Sequence, residues 1–202
     1  MSSVLLEQLN GEMASVVEGV QRALVHVRSG HAGAGAGTVW HPDGLIVTNA
    51  HVVQHGPLRV TLADGRELPA RLLAQDSAHA LAALMVDASG LPTIPLGDSR
   101  RLQPGEWVLA LGHPWGVRGS VTAGVVIGVG GEWPEPPPSG GDWVVVSLHL
   151  RPGYSGGPLV DTNGRLVGLN TMMTGPDVGV AVPVHVAKAF LREALGAPVA
   201  VA

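Results

Sequence analysis

From Leu24 onward, the apolar residues of this chain come only in short runs, each closed by a glycine, a proline or an Asp-Gly pair. With 29 Gly and 16 Pro among 202 residues, long helices have little room, and strands of ordinary length joined by turns are the natural reading. The first set of runs is LVHV, GTVW, LIVTN, LRVTL, ELPARLL and LAALMV; Asp43-Gly44 and Asp64-Gly65 between them are hairpin turns. Residues 88–105 are rich in Pro, Gly and Ser and read as a connection. A second set comes after it: WVLALG, SVTAGVVIGV, WVVVSL, GPLV, LVGLN and VGVAVP. The insert at 130–142, GGEWPEPPPSGGD, is too proline-rich to pair as a central strand and reads as a surface loop. The expected fold is all-β, with two six-stranded antiparallel β-barrels over residues 23–92 and 93–184.

A helix is expected on each flank. In residues 1–22, Leu6, Leu9, Met13, Val16 or Val17, and Val20 recur at helical spacing, so this segment either docks on the neighbouring barrel or makes an oligomer contact. Residues 185–202 hold a helix over 185–195, with Val186, Ala189, Phe190 and Leu195 on one face, and then a tail. Composition narrows the function. Without cysteine there is no disulfide framework, thiolate metal site or cysteine nucleophile. A net charge of −4 with no basic cluster argues against nucleic acid as a partner. No apolar run is long enough to span a membrane. The first residues lack the basic and apolar regions of a secretory signal, so a protein kept inside the cell, or one trimmed after export, is expected. The histidines show no H-x-x-x-H or H-E-x-x-H spacing within a predicted helix, and neither a metal nor another cofactor is expected.

Two motifs carry chemistry. GYSGGPLV (153–160) sets Ser155 among glycines, where backbone can approach a substrate closely and the Gly153 and Ser155 N–H groups can converge on one oxygen. TNAHVV (48–53) places His51 directly after an apolar strand. Taken alone, the first could be a flexible turn and the second a structural histidine. Together, one in each half, they suit a cleft between two barrels in which imidazole takes the serine proton and returns it to a leaving amine.

The chain resembles the trypsin-like protease domain of the HtrA (Deg) family, which has the chymotrypsin fold. The matching segments are GAGAGTVWHPDGLIVTNAHVV (33–53), VTLADGRELPARLLAQD (60–76), IPLGDSRRLQPGEWVLALGHPWG (94–116), GYSGGPLVDTNGRLVGLN (153–170) and VGVAVP (178–183). The resemblance implies His51 as base, Ser155 as nucleophile, and the Gly153 and Ser155 N–H groups as oxyanion hole. It further implies an endopeptidase acting on unfolded or flexible protein segments, and trimers.

The sequence departs from the family pattern at three places. The phrase D-x-x-x-D-hydrophobic-A reads here Asp76-Ser77-Ala78-His79-Ala80-Leu81-Ala82, so the orienting carboxylate of the triad falls on Ala80. Asp76 would lie roughly 13 Å away on an extended chain, and His79 would face the other side. An inactivating substitution made to stop self-digestion and a natural pseudoenzyme both fit. Tyr154 stands where the family usually has Asn, in a place where it could pack under the oxyanion loop. No PDZ domain comes after the helix at 185–195, as expected of a shortened protein or of a member that works without one. By resemblance the S1 pocket has His149 at its base and Leu169, Asn170 and Thr171 in its walls. With no carboxylate there, cleavage after Lys or Arg is not expected; His149 either narrows the pocket, favouring small or medium aliphatic side chains, or turns aside to bond a backbone carbonyl. Two functions fit these residues: a serine endopeptidase impaired at position 80, or a pseudoprotease that holds peptides without cutting them.

Overall fold

The short runs become twelve strands in a computed structural model that describes residues 2–30, 33–54, 56–131, 141–175 and 177–196. Most of the surface loop expected at 130–142, and the end of the tail, lie outside the described residues. The first barrel comprises β1 (Leu24–Ser29), β2 (Gly33–His41), β3 (Leu45–Asn49), β4 (Leu58–Thr61), β5 (Glu67–Asp76) and β6 (Leu81–Val86), closed in the order β1-β2-β3-β6-β5-β4. The second comprises β7 (Trp107–Gly112), β8 (Ser120–Gly130), β9 (Trp143–Ser147), β10 (Pro158–Asp161), β11 (Leu166–Gly175) and β12 (Val178–Pro183), closed in the order β10-β11-β12-β9-β8-β7. Closure leaves neither sheet with a free edge. All-β, in two six-stranded antiparallel barrels with a helix on each flank, is therefore the fold.

Both Asp-Gly pairs turn hairpins, joining β2 to β3 and β4 to β5. Gly44 has φ +92°, and a Cβ there would stand 2.2 Å from the Val86 carbonyl oxygen, so only glycine fits this turn. The connection between barrels does not hang free: Gly97 N–H donates to the Leu166 carbonyl and Leu166 N–H to that of Pro95. One apolar cluster runs through both barrels, from Val27, Ile46 and Leu84 to Leu109, Leu111 and Leu169. That shared core fixes one barrel against the other, and with it the two walls of the cleft.

Helix α1 (Ser2–Gln21) docks by its C-terminal half alone. Val20 is buried and Met13, Val16 and Val17 pack against the core, while Leu5, Leu6 and Leu9 are 69%, 58% and 52% exposed. Helix α2 (Val184–Leu195) buries Val184, Ala187, Phe190 and Leu191. That stripe is rotated from the expected one, with Ala189 left exposed. The helix closes at Gly196, in left-handed conformation, whose N–H donates to the Arg192 carbonyl. Neither helix is long and apolar enough to cross a membrane.

Candidate active site

His51 sits on a 3-10 turn, Ala50–Val53, that continues directly from β3. Ala50, Val52 and Val53 are buried, which leaves the His51 side chain directed outward. The start of the turn hangs on one acceptor: the Ala80 carbonyl takes hydrogen bonds from Ala50 N–H and from the Asn49 side-chain amide, each 3.0 Å. Partial desolvation pushes the His51 pKa below its ordinary value.

Ser155 sits in a glycine turn tied down on several sides. Tyr154 N–H donates to Arg151, Gly157 N–H to Tyr154 and Gly156 N–H to Asn170. The Ser155 carbonyl itself accepts from Ala36 N–H of β2 at 2.8 Å, so the first barrel grips the serine turn of the second. Gly153 has φ +108°, and a Cβ there would lie 2.6 Å from the His113 carbonyl oxygen. Among the described residues, the N–H groups of Gly153 and Ser155 donate to no backbone carbonyl. The Ser155 hydroxyl donates to the Thr171 carbonyl at 2.9 Å.

One cleft of about 410 Å³ brings these groups together, lined by Ala34, His51, Leu150, Arg151, Pro152, Gly153, Tyr154, Ser155, Thr171, Met172 and Met173. Of the residues expected around the substrate side chain, only Thr171 lines it. Leu169 is fully buried in the core. Asn170 is 1% exposed and spends its amide on the Leu111 and Pro158 carbonyls. His149 lies between buried Leu148 and Leu150 and faces outward, where its Nδ1 meets the Asp177 carboxylate at 2.8 Å. It does turn aside, but to a carboxylate and not to a backbone carbonyl. The apolar lining comes instead from Leu150, Met172 and Met173. Sequence reasoning missed Met172 and Met173 because a register shift in β11, between Asn170 and Met172, resets which side chains face the cleft. Tyr154 is 5% exposed and packs in the second barrel's core, where burial raises its pKa.

Around position 80 the chain is a turn, not the extended segment on which the 13 Å separation rested. Asp76 accepts from the N–H groups of Ala78 and His79 and pairs with the His79 imidazole, so its carboxylate is fully engaged locally. Ala80 has φ +57°, a left-handed backbone that suits Gly, Asn or Asp better than Ala.

Residues 35–169 match the family model described as "Trypsin-like peptidase domain". The chain belongs to that family. Its relatives place it in the HtrA-type branch of these serine proteases. It is 39% identical over 159 residues to a DegP-like periplasmic serine endoprotease of Halomonas elongata, covering 76% of this chain and 33% of that protein. It is 39% identical over 168 residues to the mitochondrial serine protease HTRA2 of Drosophila pseudoobscura pseudoobscura, covering 81% and 39%. The solved structure of the HtrA-type protease AlgW with a decapeptide superposes with a TM-score of 0.83 at 26% identity, covering 92% of this chain and 68% of that one. This trypsin-like chain thus spans between 33% and 39% of the length of those two curated relatives.

Proposed function

We propose that this chain is the protease unit of a serine endopeptidase in which Ser155 is the nucleophile and His51 the general base. The Gly153 and Ser155 N–H groups would bind the oxyanion, and Ala80 stands where the orienting carboxylate is missing. The observation that carries this reading is that His51 from the first barrel and Ser155 from the second line one cleft. In the reaction, the Ser155 hydroxyl leaves the Thr171 carbonyl, turns to His51 and attacks the substrate carbonyl as imidazole takes its proton. His51 then passes the proton to the leaving amine, and water repeats the sequence on the acyl-enzyme. The unoccupied N–H groups of Gly153 and Ser155 suit the charge that develops on the carbonyl oxygen. Leu150, Met172 and Met173 favour aliphatic side chains there. Unfolded or flexible polypeptide segments are the substrates that an open cleft can thread, and the related AlgW holds a decapeptide.

With alanine at 80 there is no side-chain acceptor to choose the tautomer of His51 or to stabilise its charged form. That same residue favours a second reading, a pseudoprotease that binds peptides without cutting them. Casein separates the two. The chain as it stands should cleave barely above a Ser155→Ala blank, and Ala80→Asp should raise the rate by roughly three to four orders of magnitude. A folded Ala80→Asp protein that stays at the blank's level contradicts the triad reading of position 80. Brisk cleavage by the unaltered chain would mean that another group orients His51. The uncovered Leu5, Leu6 and Leu9 also support a homo-oligomer, a trimer by family likeness. Light scattering should then report a mass above 20.7 kDa.

A further inference from the structure

Of the residues that line the cleft, Arg151 alone carries a charge at every ordinary pH. Its guanidinium has no hydrogen-bond or carboxylate partner among the described residues. By contrast, Arg22, Arg28, Arg59 and Arg66 each bond an acidic side chain. Arg151 is nevertheless held. Its guanidinium carbon lies over the Trp115 ring, 4.8 Å from the centroid. An arginine gripped through an aromatic face keeps the N–H groups along its edge for an oxygen acceptor, and a carboxylate can take two of them at once. The charge is felt in the wall of the cleft, where burial raises the Tyr154 pKa and Arg151 opposes the rise.

Trp115 is displayed at a cost. It is 74% exposed, so its indole forgoes the gain of burial. Its φ of +54° is a left-handed conformation that bulky residues seldom adopt, and strain of this kind collects at functional positions. The loop that carries it, from His113 to Gly119, is closed on itself and tied on three sides. Gly116 N–H donates to the His113 carbonyl and Val117 N–H to that of Pro114. His113 Nδ1 accepts the Gly119 N–H at 3.2 Å, and the Gln21 amide of α1 donates to the Gly119 carbonyl at 2.6 Å. The His113 ring meets His26 of β1 edge to face, with centroids 5.3 Å apart. His113 N–H donates to the Gly153 carbonyl at 2.9 Å, and the Arg151 carbonyl accepts the Tyr154 N–H at 3.0 Å. The aromatic platform, Arg151 and the serine turn are therefore fixed relative to one another.

We infer that Arg151, positioned by Trp115, is a specificity-determining residue that takes a carboxylate of the bound polypeptide beside the residue seated at Ser155. The apolar wall of Leu150, Met172 and Met173 selects an aliphatic side chain, and Arg151 adds selection by charge. An acidic side chain within a segment and the carboxylate of a chain end share this chemistry. The whole chain carries a net charge of −4, so its long-range field favours basic peptides. A preference for acidic ones has to arise locally. The inference rests on the proposed reading of this cleft as the place where substrate polypeptide lies.

The test is fluorescence anisotropy on the full chain with labelled decapeptides of Ala, Leu and Ser. They differ only in carrying Glu, Gln or Lys on both sides of a central Leu, and all have amidated C-termini. The Glu peptide should bind about fivefold or more tighter than the Gln peptide, and tighter than the Lys peptide. Arg151→Gln should erase the difference and Arg151→Glu should reverse it in favour of Lys. Trp115→Ala should reduce it to about twofold, and Trp115→Phe should restore most of it. Thermal melts establish that each variant is folded. A Gln peptide with a free C-terminus separates the two sources of carboxylate; tighter binding by either source, lost in Arg151→Gln, supports the inference. Equal binding of the Glu, Gln and free-ended peptides, no binding of any, or a preference that survives in folded Arg151→Gln would overturn it. Cleavage of the same peptides by Ala80→Asp reports on the protease reading separately. Cutting without charge preference sinks this inference alone, and charge-selective binding without cutting sinks that reading alone.

Discussion

On the serine side of the cleft, the turn is held by backbone bonds from Ala36 and to Arg151 and Asn170, and its glycines fit against neighbouring backbone with no space to spare. On the histidine side, the backbone of the 3-10 turn is anchored through the Ala80 carbonyl, but no hydrogen bond orients the His51 ring among the described residues. The difference separates two tasks that a triad combines. Placing a nucleophile is a matter of backbone, spread over many residues, whereas orienting a base rests on one side chain. On the proposed reading of residue 80, a single change there removes the second while leaving the first intact.

The serine side should be the less forgiving when disturbed. Gly156 has φ +83°, and an added Cβ would stand 2.2 Å from both the Ala36 carbonyl oxygen and Thr48 Oγ1. Gly156→Ala should cost about 3 kcal/mol or more in a denaturant melt, combining strain with overpacking; a cost below about 1 kcal/mol would show that the turn is not so tightly held.

Acid probes the support behind that turn. The His113 pKa lies at about 4 in the fold against 6.5 for the free side chain, so the unfolded chain takes up a proton that the native one refuses. Stability from this group is complete above pH 6.5 and is lost as pH falls through 4. The loss is about 3 kcal/mol. In His113→Asn, whose amide oxygen can still accept the Gly119 N–H, that part of the loss should vanish from melts taken at pH 7 and pH 4.

Much of this contrast was legible in the sequence. Asp43-Gly44 and Asp64-Gly65 announced their hairpins because few residues tolerate those turns, and His51 and Ser155 stood in local patterns that fix their surroundings. Other features depend on partners distant in the chain. His26 and His113 have nothing in common until the barrels close, and the register shift in β11 that brings Met172 and Met173 to the cleft has no residue signature of its own. His149 could have been read better, since the alternation Leu148-His149-Leu150 already turns it outward.

Smaller effects are expected on the histidine side. Ala80→Gly should relieve the left-handed strain at φ +57° and stabilise the fold by about 1 kcal/mol or less, without restoring activity. Smaller still, His149→Ala removes an exposed contact with the Asp177 carboxylate and should change stability by less than about 1 kcal/mol. In an Ala80→Asp background it should leave the preference among aliphatic substrate side chains unaltered. A changed preference would return His149 to the substrate pocket.

The proposed lack of an orienting carboxylate at residue 80 is tested most directly at the imidazole itself. Nitrogen-edited NMR of His51 should show a ring whose pKa is depressed in the unaltered chain. In Ala80→Asp the proton should settle on Nδ1, and the pKa should rise as the new carboxylate stabilises imidazolium. A His51 titration and tautomer identical in the two proteins would contradict the account, because a carboxylate at residue 80 would then not reach the ring.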